Sequence, residues 1–168
     1  MKIIESFSPE DTFALGREIG QNAVPGAVYT LIGDLGVGKT VFTQGLAEGL
    51  EITEPVNSPT FTIVQVYEEG RLPFYHFDVY RVGDSSEMDE IGYEEYVYGE
   101  GISLIEWANL IEEILPEHYT EIGLGGANHA GFGNYGPQEG DGEATMEREK
   151  QQDMTVTYIM KMIQQTYE

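Results

Sequence analysis

The sequence predicts an α/β domain built on a mixed central sheet, and three observations predict it. Short apolar runs alternate with stretches of helical spacing, the pattern of strands and helices wrapped around one sheet. Two strand-like runs, Phe61–Tyr67 and Leu72–Asp78, are separated only by Glu68-Glu69-Gly70-Arg71. That spacing reads as a hairpin, hence an antiparallel pair in the sheet. A glycine-rich turn, Gly33–Gly38, also joins an apolar run to a helical stretch.

Lys2–Ser6 is short and β-leaning. Ser8-Pro9-Glu10-Asp11 then reads as a helix start, with Ser as N-cap, Pro in the first helical position and acids in the first turn. Phe13, Leu15, Ile19 and Val24 are expected to form its apolar face, and Pro25-Gly26 to end the unit. Ala27–Ile32 is a buried-type strand. Lys39–Leu50 is a helix with Val41, Phe42, Leu46 and Leu50 at helical spacing. Ile52–Pro59 is turn-rich and the hairpin follows it. An acidic stretch from Asp84 leans to helix, Gly101–Glu106 is a second buried-type strand, and Trp107–Leu115 is a helix stopped by Pro116. Tyr119–Leu124 is a weak last strand of a core spanning residues 1–122. Residues 123–142 hold eight glycines and read as a mobile, acidic loop. Residues 143–168 are expected to be a helical segment attached to the same domain. Over Met154–Tyr167 a helical face competes with strand alternation at Met154, Val156 and Tyr158, and helix is preferred.

At 168 residues the chain suits one domain able to bury its own core, and it contains no cysteine. Disulfide scaffolds, thiolate metal sites and cysteine nucleophiles are thereby excluded. Eight Lys and Arg against 30 Asp and Glu leave a net charge of −22. Such a surface repels phosphate backbones and anionic lipid, so direct DNA or RNA binding and membrane adhesion are not expected. No signal peptide or membrane span is evident, which makes the cytoplasm the expected location.

Gly33-Asp34-Leu35-Gly36-Val37-Gly38-Lys39-Thr40 matches G-x-x-x-x-G-K-[ST], entered from a strand and left by a helix. Glycines allow positive φ and close approach to phosphate oxygens. The loop amides and the helix N-terminus form an anion nest. Lys39 offers a point charge to β- and γ-phosphates, and the Thr40 hydroxyl is a hard ligand for Mg²⁺. With the alternating elements, this makes the predicted architecture a P-loop NTPase-like three-layer sandwich. No N-K-x-D guanine reader occurs, so ATP is favoured over GTP.

Such a site also needs an acid at a neighbouring strand end. Asp78 and Glu106 each end a strand-like run, where ligands of open α/β sheets bind, though solvated acids and helix caps occupy such places too. Asn57-Ser58-Pro59-Thr60-Phe61-Thr62 is rich in hydroxyls, suited either to sensing a γ-phosphate or to capping a turn. Arg81 can offset transition-state charge, but an ion pair with a nearby acid is the favoured reading. His76, between Tyr75 and Phe77, reads as structural. Trp107 is the only tryptophan, and either core or nucleotide pocket suits it.

With these residues assembled, the chain resembles the TsaE (YjeE) family of small bacterial P-loop ATPases. GDLGVGKT at 33–40, NSPTFT at 57–62, HFDVYR at 76–81 and IEW at 105–107 carry the resemblance, which covers about residues 1–122. The family closes its sheet with further strands, whereas a glycine-rich acidic segment follows here. The resemblance implies an ATP-hydrolysing subunit required for threonylcarbamoyladenosine, the modified base beside the anticodon of tRNAs reading ANN codons. It implies a weak ATPase acting with a TsaD–TsaB heterodimer, in which TsaD transfers the threonylcarbamoyl group and nucleotide turnover resets the complex. It also implies roles: Thr40 and Glu106 on Mg²⁺, Lys39 on the phosphates, Asp78 as a catalytic carboxylate, Trp107 as site wall, and Thr60 and Thr62 as switch-like threonines.

Residues 82–147 carry sixteen acids and no Lys or Arg, a field suited to steering onto a basic partner or simply to solubility. Two other classes share the P-loop: a small-molecule kinase, against which stands the lack of a second basic cluster, and a nucleotide sensor without obligatory turnover.

Overall fold

The computed structural model describes residues 2–126 and 157–162. In chain order the elements are β1 (Lys2–Ser6), α1 (Pro9–Asn22), β2 (Val28–Ile32), α2 (Lys39–Gly49), β3 (Val64–Tyr67) and β4 (Phe74–Asp78). Then come α3 (Glu87–Glu90), α4 (Tyr93–Val97), β5 (Ile102–Glu106), two 3-10 turns, β6 (Thr120–Gly126) and β7 (Thr157–Met162). The strands form one sheet in the order β1-β7-β6-β2-β5-β4-β3. Among the described strands only the β3–β4 pair is antiparallel, with Val64 facing Phe77 and Tyr67 facing Phe74. No helix among the described residues is long and apolar enough to cross a membrane.

Alternation along the strands makes three layers. Leu31, Phe74, Ile102, Leu104 and Ile122 pack with Phe42, Leu46 and Leu50 of the α2 unit. The opposite parity, Val28, Phe77, Val79 and Ile105, packs with Met88, Tyr93, Val97 and Ile111.

Helix α1 starts as its sequence demands. Ser8 Oγ accepts from the Asp11 amide at 3.2 Å, and Asp11 returns a carboxylate to the Phe7 amide at 2.9 Å. Its packing face differs from expectation. The buried positions are Thr12, Gly16 and Gly20; Leu15 and Ile19 are only partly buried, and Val24 is 64% exposed. The glycines meet α2 backbone to backbone. A Cβ on Gly16 or Gly20 would strike the carbonyl oxygen of Phe42 or Leu46, and one on Gly45 or Gly49 would strike that of Phe13 or Arg17. Two i, i+4 glycine pairs thus interlock and set α1 directly against the helix that leaves the P-loop. Arg71, from the hairpin turn, donates to the Gly20 and Ala23 carbonyls at the end of α1, the favourable end of the dipole for a cation.

Several element expectations are corrected. Thr157–Met162 is a strand, not part of a helix. It lies between β1 and β6 and pairs with both, so its backbone groups are satisfied on each side; that outweighs a helical pattern of apolar residues. Strand β6 continues through Gly126, so the first four residues of the supposed glycine loop belong to the sheet. The rest of that loop and residues 143–156 and 163–168 lie outside the described residues. Trp107–Leu115 is two 3-10 turns, Ala108–Leu110 and Glu112–Ile114, rather than one helix. Trp107 takes φ 62° and Ile111 φ −133°, and both interrupt an α ladder. The first hairpin strand begins at Val64, because Ile63 adopts φ 65°.

Candidate functional site

Strand β2 delivers the chain to Gly33, and α2 receives it at Lys39. Gly38 is the N-cap at φ 105°, and Gly36 turns the loop at φ 78°, values that a side chain resists. No side chain caps α2, so its first-turn amides face the loop's concavity. Lys39 folds back over this nest. Its Nζ donates to the Gly33 carbonyl and, at 2.9 Å, to that of Asp34, and it lies 4.6 Å from the Trp107 ring centroid. Burial pushes its pKa below the usual lysine value, against the upward pull of Glu106, Asp78 and Asp34. An anion in the nest would add to that upward pull. Thr40 is exposed in the first turn of α2.

The two carboxylates are neighbours. Asp78 ends β4, Glu106 ends β5, and the parallel register sets them opposite each other. Glu106 in turn faces Leu31 of β2, one strand from the P-loop. Both acids are buried, and both couple electrostatically to Lys39. Asp78 Oδ2 accepts from Ser58 Oγ at 2.7 Å and Thr60 Oγ1 at 2.8 Å, while Oδ1 accepts the Tyr80 amide at 3.1 Å. The Asp78 amide donates to the carbonyl of Ile63 at 2.8 Å. Ile63 is β-branched and left-handed, a costly backbone that fixes how loop 57–63 meets Asp78. Glu106 Oε1 lies 2.8 Å from His76 Nε2.

Loop, lysine, Thr60 and both carboxylates therefore converge. Trp107 joins them from its left-handed position after Glu106, packed at 5.0 Å against Tyr80. Thr62 stands elsewhere in its loop: it is exposed, its amide bonds to Pro59, and it lines a pocket of about 340 Å³ with Glu54, Asn57 and Tyr67. Arg81 is not found in the expected ion pair. Among the described residues its partner is the Phe61 ring, 4.7 Å from the guanidinium carbon, which links two of the sequence motifs. Ser58 and Tyr80 were not singled out from the sequence. Both sit within motifs already noticed, but nothing in residue type says which hydroxyl reaches Asp78.

Chemically, the nest suits a phosphate chain. The Thr40 hydroxyl and the Glu106 and Asp78 carboxylates are hard oxygen donors of the kind Mg²⁺ takes. Among the described residues no group of three or more His, Cys, Asp or Glu could hold a metal alone. The set fits a cation shared with ligand oxygens.

The sequence matches the family described as Threonylcarbamoyl adenosine biosynthesis protein TsaE over residues 6–131. The tRNA threonylcarbamoyladenosine biosynthesis protein TsaE of Bacillus subtilis is 55% identical over 115 residues, covering 68% of this chain and 72% of that protein. The protein of the same name from Treponema pallidum is 44% identical, covering 71% of this chain and 87% of that one. The crystal structure of Bacillus subtilis YdiB is similar in fold, with TM-score 0.61 at 47% identity, covering 70% of this chain and 72% of that chain.

Proposed function

The chain belongs to the TsaE family, and from that premise we propose that it is the ATP-binding, ATP-hydrolysing subunit of tRNA threonylcarbamoyladenosine biosynthesis, turning over when docked on a TsaD–TsaB pair. The observation that carries the reading is the side-by-side placement of Asp78 and Glu106 at two strand ends, coupled to the P-loop lysine. In this reading Lys39 exchanges its loop carbonyls for β- and γ-phosphate oxygens, and the α2 amides hold the remaining charge. Thr40 and Glu106 would hold Mg²⁺ through protein oxygens, and the cation would supply positive charge against the charge that develops on the phosphates. Asp78 has about four acceptor sites. Among the described residues three are occupied, by Ser58, Thr60 and the Tyr80 amide, which leaves one that would be open to hold an attacking water.

Leu35 and Phe61 are 81% and 85% exposed, and Tyr80 is also exposed, apolar surface beside the site that supports a partner-dependent activity. Co-purification with TsaD and TsaB in Mg-ATP, followed by single-turnover hydrolysis, is the test. Retention of the chain and faster turnover in the complex are expected. Phosphate transfer to a small acceptor would favour a kinase, and binding without turnover a sensor.

Trp107 gives an optical check. Lys39 lies over its ring, so capture of the lysine by phosphates should change the emission of the sole tryptophan saturably with Mg-ATP. The change should vanish in Lys39→Ala and persist in Asp78→Ala, which keeps the nest. Unchanged emission despite calorimetric binding would remove Trp107 from the site.

With a net charge of −22, the purified chain alone should not shift tRNA in a gel at physiological salt. A salt-sensitive shift would contradict this.

A further inference from the structure

His76 was expected to be a structural residue, and its surroundings ask for more. It is buried to 1% exposure in the middle of β4, and its Nε2 lies 2.8 Å from Oε1 of Glu106, whose side chain is 4% exposed. A carboxylate only accepts, so Nε2 carries the proton. The other ring nitrogen, Nδ1, has no partner among the described residues. Among the described residues the ring's polar contact is the carboxylate beside the P-loop. Phe74 holds the ring nearly parallel, 12° between planes at 5.9 Å, and limits its rotation. Phe74, His76 and Asp78 alternate onto one face of β4, and Asp78 is opposite Glu106. Glu106 therefore reaches back along the sheet to its neighbour strand's histidine while sharing the strand-end position with Asp78.

We propose that His76 is a positioning residue: it anchors Oε1 of Glu106 and so presents Oε2 to the divalent cation of the nucleotide site. The proposal rests on the reading that Glu106 serves a metal. A glutamate has three side-chain torsions, and a free one would have to be ordered by the cation itself. Anchored through one oxygen, it is ordered before the cation arrives. Partners of metal-binding groups typically govern metal affinity by about 10–100-fold.

The measurement is calorimetric ATP binding as a function of Mg²⁺, with a matched series in EDTA. His76→Phe keeps the ring beside Phe74 and removes the donor. It should raise the Mg²⁺ concentration for half-maximal effect about tenfold or more, and leave affinity in EDTA within about twofold. His76→Gln, whose amide can donate from a similar reach, should recover most of the shift. Glu106→Gln should show at least as large a shift, and the double variant should be no worse than Glu106→Gln alone. An unshifted Mg²⁺ dependence in His76→Phe overturns the proposal, and so does full additivity in the double variant. If neither Glu106→Gln nor His76→Phe shifts it, the metal role of Glu106 falls and takes the proposal with it. Wild-type protein that ignores Mg-ATP would overturn the nucleotide reading itself. Nitrogen-15 shifts of wild-type His76 give a check that needs no variant to fold. The Nε2–H tautomer is expected, and a proton on Nδ1 with a bare Nε2 would exclude the anchor.

Discussion

Lys39→Ala is expected to raise the Kd for Mg-ATP on the order of a hundredfold, a loss of about 3 kcal/mol, while the protein stays folded. The lost interaction is charge-assisted and made in a partly desolvated nest, which puts it at the strong end of hydrogen bonds. Folding should tolerate the change because the ammonium is held at a desolvation cost, visible in its lowered pKa. Removing it forfeits two bonds to loop carbonyls but also relieves that cost. Melting without nucleotide should therefore shift by no more than about 1 kcal/mol. Calorimetry against ATP and GTP, paired with denaturant melts, reads both halves. Equal ATP affinity in the variant, or a preference for GTP, would contradict the nucleotide assignment.

Gly45→Ala should cost about 3 kcal/mol or more of folding stability, although alanine is the better helix former by about 1 kcal/mol. A single methyl at this position meets the backbone of Phe13, its carbonyl oxygen and Cα among the nearest atoms, and backbone cannot rotate away as a side chain can. The helices would have to separate along a seam that also includes Gly16, Gly20 and Gly49. Because α2 starts at Lys39, separation would also disturb the P-loop, so nucleotide binding should weaken along with stability. Urea unfolding measures the first effect. A Gly45→Ala variant as stable as wild type would mean that the helices do not approach this closely.

That glycine seam shows where reading a sequence by hydropathy falls short. Glycine contributes nothing to an apolar stripe, so the face of α1 was assigned to Phe13, Leu15, Ile19 and Val24, while the buried positions are Thr12, Gly16 and Gly20. The signal was present as glycines four apart on both helices, but only their mutual packing gives it meaning. The P-loop was legible because its requirements are local: positive φ at Gly36 and Gly38, a lysine and a hydroxyl at the helix start. The acids were legible because strand ends are. The hydroxyl partners of Asp78 were not, since Ser58 and Thr60 reach it through a left-handed Ile63, a conformation that a β-branched residue does not announce. Strand β7 was ambiguous for the opposite reason: alternation competes there with a helical face, and the pairing that decides between them is made with strands far away in sequence.

The place of β7 bears on how such a chain comes off the ribosome. Lys2 faces Tyr158 and Ser6 faces Met162, and among the described strands β7 alone lies beside β1. Strand β1 therefore waits for β7, more than 150 residues later. At ~5–20 residues per second the interval is roughly ten to thirty seconds. Meanwhile α1, α2 and the strands from β2 to β6 can pack through contacts nearer in sequence, while among the described strands β6 lacks its second neighbour and β1 its ladder. Closure is then an insertion: one late strand must slot between two edges and satisfy both registers at once. Pairings this distant form slowly, so the nascent chain spends its most adhesive period with its nucleotide half assembled and its sheet still open.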